Sequence, residues 1–159
     1  MYLRKYIFLP LILFSCATFA QKNALNIVKE KFDLMNKHDI TKLAALYADS
    51  AIIESPNFDH VEKGVAGITD AYSRYFKSTP NLSYTITRII PADSVVIVEF
   101  TSQGTMDSVS KEVPAFMYGK NYMLKNCSLL NIKDGKIIKD VSYFDQVSFL
   151  RQMGYFAQH

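Results

Sequence analysis

Few residues of this sequence are of the types that do chemistry, and they are scattered. Asp145 directly follows Tyr143 and Phe144. A carboxylate set against aromatic rings is poorly solvated and holds its proton more tightly, the condition for shuttling a proton beside a carbonyl. Asp145 also stands where a helix would open, and a capping carboxylate accepts backbone N–H groups, which favours its charged form. Both readings stay open on the residues alone. Glu54, ahead of Ser55 and Pro56, is a second acid, which strand alternation turns either into a pocket or toward solvent. His60 falls in the polar loop beyond Pro56, as a base or ligand contact near a pocket mouth or as a plain exposed histidine. His38 sits at a helix end, a structural position, and His159 is terminal.

Other chemistries lack their signatures. No HxH, HxxxH or Cys/His cluster occurs, so neither a metal nor another cofactor is expected. Nucleophile-elbow, phosphate-loop and dinucleotide fingerprints are also missing. Cys127 lies within a strand pattern with no histidine near it in sequence, and reads as a small buried residue rather than a nucleophile.

The elements that position these residues follow from periodicity. Residues 24–37 place Leu25, Val28, Phe32 and Met35 on one helical face. Asp39 caps a second helix reaching Tyr47, residues 48–50 form a turn, and 51–54 form a short strand stopped by Pro56. Residues 64–76 form a third helix with Val65, Ile68, Tyr72, Tyr75 and Phe76 on one side. From Leu82 the pattern becomes that of strands: 82–90 and 95–106 joined at Pro91-Ala92-Asp93, then 121–132, then 137–144 after the Asp134-Gly135 turn. A short helix bearing Val147, Leu150 and Met153 closes the chain at Gly154. Helices first and an antiparallel meander afterwards is an α+β arrangement, a curved sheet wrapped on helices.

Residues 1–20 read as a secretory signal, with Arg4 and Lys5 as the charged start and 7–14 as an apolar core too short to span a bilayer. Cleavage after Ala20 leaves residues 21–159 as one domain; the alternative is a lipoprotein signal with Cys16 lipidated. The net charge is +3, but without Arg4 and Lys5 16 basic residues face 15 acidic ones, a net of +1. That balance, with no basic stripe, argues against nucleic acid as a partner. Once Cys16 is removed, Cys127 has no cysteine to pair with in its own chain.

The run Asp134-Gly135-Lys136-Ile137, then Tyr143-Phe144-Asp145, Leu150 and Gln152-Met153-Gly154 resembles the end of SnoaL-like domains, a branch of the nuclear transport factor 2-like superfamily. Met153 replaces the family's leucine. Asn36 to Asp39, Leu46 to Ala51, Glu54-Ser55-Pro56 and Lys63-Gly64 with Ile68 follow the family's front half. The resemblance covers roughly residues 24–154. It implies a cone-shaped α+β barrel: three N-terminal helices on a strongly curved, mainly antiparallel sheet, a short C-terminal helix, and a cavity that holds ligand or chemistry. It also implies a homodimer paired through the outer sheet face. In SnoaL-like cyclases a pocket acid is the acid/base catalyst, a role that falls here on Asp145, with Tyr143 or Tyr122 as donor to a developing enolate. The segment 51–56 resembles that of ketosteroid isomerase, but Ser55 stands where that enzyme has its catalytic Asp. Lys31 stands where it has its oxyanion-donating tyrosine, so that activity is not expected.

Ten tyrosines and eleven phenylalanines need a place. Tyr72, Phe76, Phe100, Tyr122 and Phe144 fall on elements that wall the cavity in this fold, an aromatic pocket suited to a flat or apolar small molecule. The same rings would equally serve a core and a dimer interface. The expectation is a secreted small-molecule binder with an apolar, aromatic-lined pocket, edged by Glu54 and His60. A cyclase- or isomerase-type enzyme using Asp145, and an envelope protein-interaction module, are the rivals.

Overall fold

The chain folds around a sheet whose first and last strands lie side by side. A computed structural model describes residues 9–57, 61–92, 94–107 and 113–157. The elements are α1 Leu9–Asn36, α2 Ile40–Ala45, β1 Tyr47–Glu54, β2 Glu62–Lys63, α3 Gly64–Ser78, β3 Ser83–Ala92, β4 Val95–Thr105, β5 Asn121–Lys133, β6 Lys136–Phe144 and α4 Gln146–Gln152. Single 3₁₀ turns occupy Ala115–Met117 and Tyr155–Ala157. The strand order is β2-β1-β6-β5-β4-β3. The β1–β6 pair is parallel and every other pair is antiparallel. The edge strands β2 and β3 do not meet, so the α+β cone is a curved, open sheet rather than a closed barrel.

α1 turns Ile27, Val28, Phe32, Leu34 and Met35 inward, and α3 adds Ile68, Tyr72 and Phe76. These pack on the alternating inner residues of β4, Val96, Val98 and Phe100, and on Leu130 of β5 and Ile137 of β6. α1 stops at His38, whose φ of 53° lets Asp39 N–H return to Leu34 O at 3.1 Å. Asp39 then caps α2 by accepting from Lys42 N–H at 3.1 Å. Gly64 opens α3 with φ of 64°, and a Cβ there would sit 2.7 Å from Asp49 O.

Several boundaries differ from those read in the sequence. α1 is one helix from Leu9, continuing through residues expected to lie in a leader. α2 ends at Ala45, and Tyr47 opens β1 instead of closing the helix. Tyr47 pairs with Ile137 while Ile52 pairs with Lys139, so residues 48–50, the expected turn, form an irregular bulge inside the strand. Pro91 continues β3 instead of turning it, which an edge strand tolerates because proline's missing N–H interrupts no inner ladder there.

The β5–β6 hairpin sets the site. Asp134 and Gly135 both have positive φ, 50° and 74°, matching a primed turn. Two residues on, the register slips: Ile132 opposes Ile137, but Asn131 opposes Lys139, leaving Ile138 as an extra residue. Ile137 faces the core, and plain alternation from it would send Lys139, Val141 and Tyr143 inward. The bulge reverses this, so Asp140 and Ser142 face inward and Tyr143, 56% exposed, faces out.

Candidate functional site

Between the sheet, α1, α3 and the C-terminal segment lies a cavity of about 720 Å³. Exposed Asn57 and Pro114 are among its lining residues and mark where it meets solvent. Its walls are aromatic. Phe100 packs edge-on against Phe32, ring centroids 4.9 Å apart, and Tyr72 against Tyr75 at 6.1 Å. At one end Tyr122 meets Phe149 of α4 at 5.4 Å, beside a small buried cluster of Met106, Val113 and Met153. Gln152 holds α4 in place: its amide accepts from Met123 N at 2.8 Å and donates to Met123 O at 3.1 Å.

The wall's polar groups are mostly bonded to one another. Asn126 donates to Ser102 Oγ at 3.0 Å, and Tyr122 donates to Thr79 Oγ1 at 3.2 Å. The inner face of the cavity carries a charged pair. Lys31 Nζ lies 3.2 Å from Asp140 Oδ2, both side chains 2% exposed or less. Tyr47 donates its hydroxyl to the same oxygen at 2.8 Å, and the Tyr72 hydroxyl lies 3.5 Å from that of Tyr47. Asp140 Oδ1 is buried with no hydrogen-bond partner among the described residues. A buried polar atom left unsatisfied costs roughly 1–3 kcal/mol.

Electrostatics fix the protonation of this group. Burial pulls the Lys31 amine down, but the Asp140 carboxylate and the Tyr72 hydroxyl outweigh it and hold the ammonium form firmly. A lysine nucleophile must be a free amine, so Lys31 acts here as a donor and a counter-charge. Burial, then the Asp140 charge, pushes the Tyr47 phenol well up; burial also raises Tyr72 against the pull of Lys31. Burial takes Tyr75 to about 12. All three are neutral hydroxyls at physiological pH. The cluster is thus one cation, one anion and neutral donors inside an apolar hollow.

Of the residues singled out by sequence, Tyr72, Phe100, Tyr122 and Phe144 line the cavity. Phe76 does not; it is core, stacked on the His38 ring at 4.1 Å. Glu54 lies outside the lining, 2.8 Å from Lys139 Nζ on the sheet. Asp145 is exposed and caps α4, accepting from Ser148 N–H at 3.0 Å. Tyr143 faces away from the hollow because of the β6 bulge, and Val147, expected on the apolar face of α4, is 52% exposed while Phe149 packs inward. His60 lies outside the described residues. Among the described residues the carboxylate that lines the cavity is Asp140, and Lys31 and Tyr47 complete a group that motif reasoning did not assemble. The available signal was Lys31 itself, a charge on the helical stripe of Val28, Phe32 and Met35.

The family model for the SnoaL-like polyketide cyclase matches residues 26–153. The chain belongs to the SnoaL-like family. Solved SnoaL-like and related folds superpose on it well. A phenazine biosynthesis-related protein from Pseudomonas aeruginosa matches with a TM-score of 0.74 at 17% identity, over 89% of this chain and 91% of that one. TsrD from Streptomyces laurentii matches at 0.70 and 20% identity, over 84% and 96%. A hypothetical protein from Catenulispora acidiphila with a ketosteroid isomerase-like fold, solved with trimethylamine, matches at 0.68 and 21%, over 80% and 92%. At these identities the likeness is one of fold. No curated protein matches this SnoaL-like chain in sequence.

Proposed function

We propose that this SnoaL-like protein is an exported binder of a small apolar or aromatic molecule. The observation that carries the reading is the cavity of about 720 Å³, a size typical of small-molecule sites, walled by aromatic rings with few unsatisfied polar groups. Export is supported by Arg4 and Lys5 ahead of the apolar stretch 7–14, with cleavage after Ala20 or lipidation at Cys16. Among the described residues no helix is long and apolar enough to cross a membrane. Pairing of two copies through the outer sheet face is supported by Met123 and Tyr143, 60% and 56% exposed.

A second reading, an acid/base enzyme of the cyclase or isomerase type, is favoured by one observation. A carboxylate and an ammonium share the inner face of an apolar cavity, able in principle to take a proton beside a carbonyl and stabilise the oxyanion. In that reading Asp140 takes the part that family likeness gives to Asp145.

Native mass spectrometry of protein recovered from its own host tests the first reading. A co-purifying apolar molecule, released on denaturation, is the expected result. Protein with no adduct, whose thermal midpoint no flat apolar compound raises, overturns it.

A further inference from the structure

Tyr84 stands on the inner face of the edge strand β3 and lines the cavity. The end of α1 holds it there. Asn36 bonds its backbone both ways, accepting from Tyr84 N–H at 2.7 Å and donating to Tyr84 O at 2.9 Å, on the side of β3 that faces no other strand. Its ring packs edge-on against Phe32 at 6.4 Å and tilted against Phe100 at 6.1 Å. Its hydroxyl, by contrast, makes no hydrogen bond among the described residues. Nor is that hydroxyl sealed off as Asp140 Oδ1 is, for it keeps surface open to the hollow. Burial, then the nearness of Tyr72, Tyr122 and Tyr75, pushes this phenol well above its usual value, so it stays protonated. A phenol is a strong donor and its ring-conjugated oxygen a weak acceptor, so what completes it must accept. The charged groups of the lining are already paired, Lys31 with Asp140 and Arg74 with Glu62 and Asp70. A charged newcomer would therefore enter the hollow without a counter-ion.

We propose that Tyr84 selects the ligand by donating to an uncharged acceptor, a carbonyl, ether or ring nitrogen, carried on a flat apolar body. The proposal rests on the small-molecule reading above and adds the residue and the functional group that decide which molecule fits. A ligand without an acceptor leaves the enclosed hydroxyl unpaired and binds more weakly. Asn36, clamping the backbone of Tyr84, sets where that acceptor must lie.

The test titrates the full chain and its Tyr84→Phe variant with quinoline and with naphthalene, which has the same shape and a C–H in place of the ring nitrogen. Mildly alkaline buffer keeps quinoline unprotonated. Tyr84→Phe retains the ring and removes a hydroxyl that bonds nothing in the protein, so its thermal midpoint is expected to match that of the native chain. The readout is the quinoline-to-naphthalene affinity ratio, compared between the two chains. That comparison cancels the different hydration of the probes. The expected result is a ratio that falls about five-fold or more on Tyr84→Phe. A smaller fall overturns the assignment of Tyr84, by placing any acceptor of the ligand elsewhere. 2-Fluoronaphthalene, followed through its fluorine resonance, reports separately on the cavity. Its binding with an unchanged ratio overturns the Tyr84 assignment alone and leaves the cavity reading standing. Binding of none of the three probes overturns the cavity reading, and this proposal with it.

Discussion

Lys31 on the first helix and Asp140 on the last strand meet inside the protein, Nζ to Oδ2 at 3.2 Å. The contact ties α1 to the β5–β6 hairpin at the inner face of the cavity, so it bears on stability as well as on the site. Removing either partner leaves the other as an uncompensated buried charge. Lys31→Met alone and Asp140→Leu alone are each expected to lower unfolding stability by about 3–5 kcal/mol, and the two together to recover most of that loss. Urea denaturation of the four chains measures it; simple additivity of the two losses would contradict the pairing.

The same group predicts how stability depends on alkali. Lys31, Tyr47, Tyr72 and Tyr75 are all raised in the folded state above their ordinary values of 10.5 for lysine and 10.0 for tyrosine. Above those values the unfolded chain releases protons that the folded chain retains, so stability falls as pH rises. The contribution is therefore complete through neutral pH and is lost from about pH 10 upward. Tyrosinate absorbance should rise together with unfolding as measured by circular dichroism. Full ionisation of the tyrosines while the fold persists would contradict their burial.

Asp145 is a cap, and its removal should behave as one. Asp145→Ala is expected to cost about 0.5–2 kcal/mol of stability through the lost Ser148 N–H bond. Affinity for 2-fluoronaphthalene should not change. Thermal denaturation and titration measure the two effects, and a loss of affinity at unchanged stability would return Asp145 to the pocket.

Gly64 marks a close approach of backbone to backbone. Gly64→Ala forces a side chain onto a left-handed residue and sets its Cβ 2.7 Å from Asp49 O. The left-handed conformation alone costs roughly 1–2 kcal/mol, and the contact adds to it. A stability loss larger than that of Gly119→Ala, where φ is 68° with nothing near the added carbon, is the expected outcome in urea denaturation. Equal losses would mean that the β1 bulge yields freely.

Much of the fold was legible because local signals agree with one another. The Asp134-Gly135 turn, the β-branched strands and the Asp39 and Asp145 caps each point to the same cone. Aromatic wall residues such as Phe100 and Tyr122 were legible by their place in the fold. The polar end of the cavity was not. Asp140 hides among Lys139 and Val141, and only the extra residue Ile138 turns it inward, a bulge that alternation cannot show. Lys31 interrupts an apolar stripe, but its partner lies at the far end of the chain, so no spacing rule links them. Tyr47 was misplaced because its neighbours have turn chemistry, while its burial against Asp140 draws it into β1.

A crystal structure of the full chain with 2-fluoronaphthalene tests the central claim most directly. The account predicts the ring inside the cavity, against the wall that Phe100 and Tyr72 help to form. A cavity closed by its own side chains, or 2-fluoronaphthalene bound only on the outer surface, would contradict it.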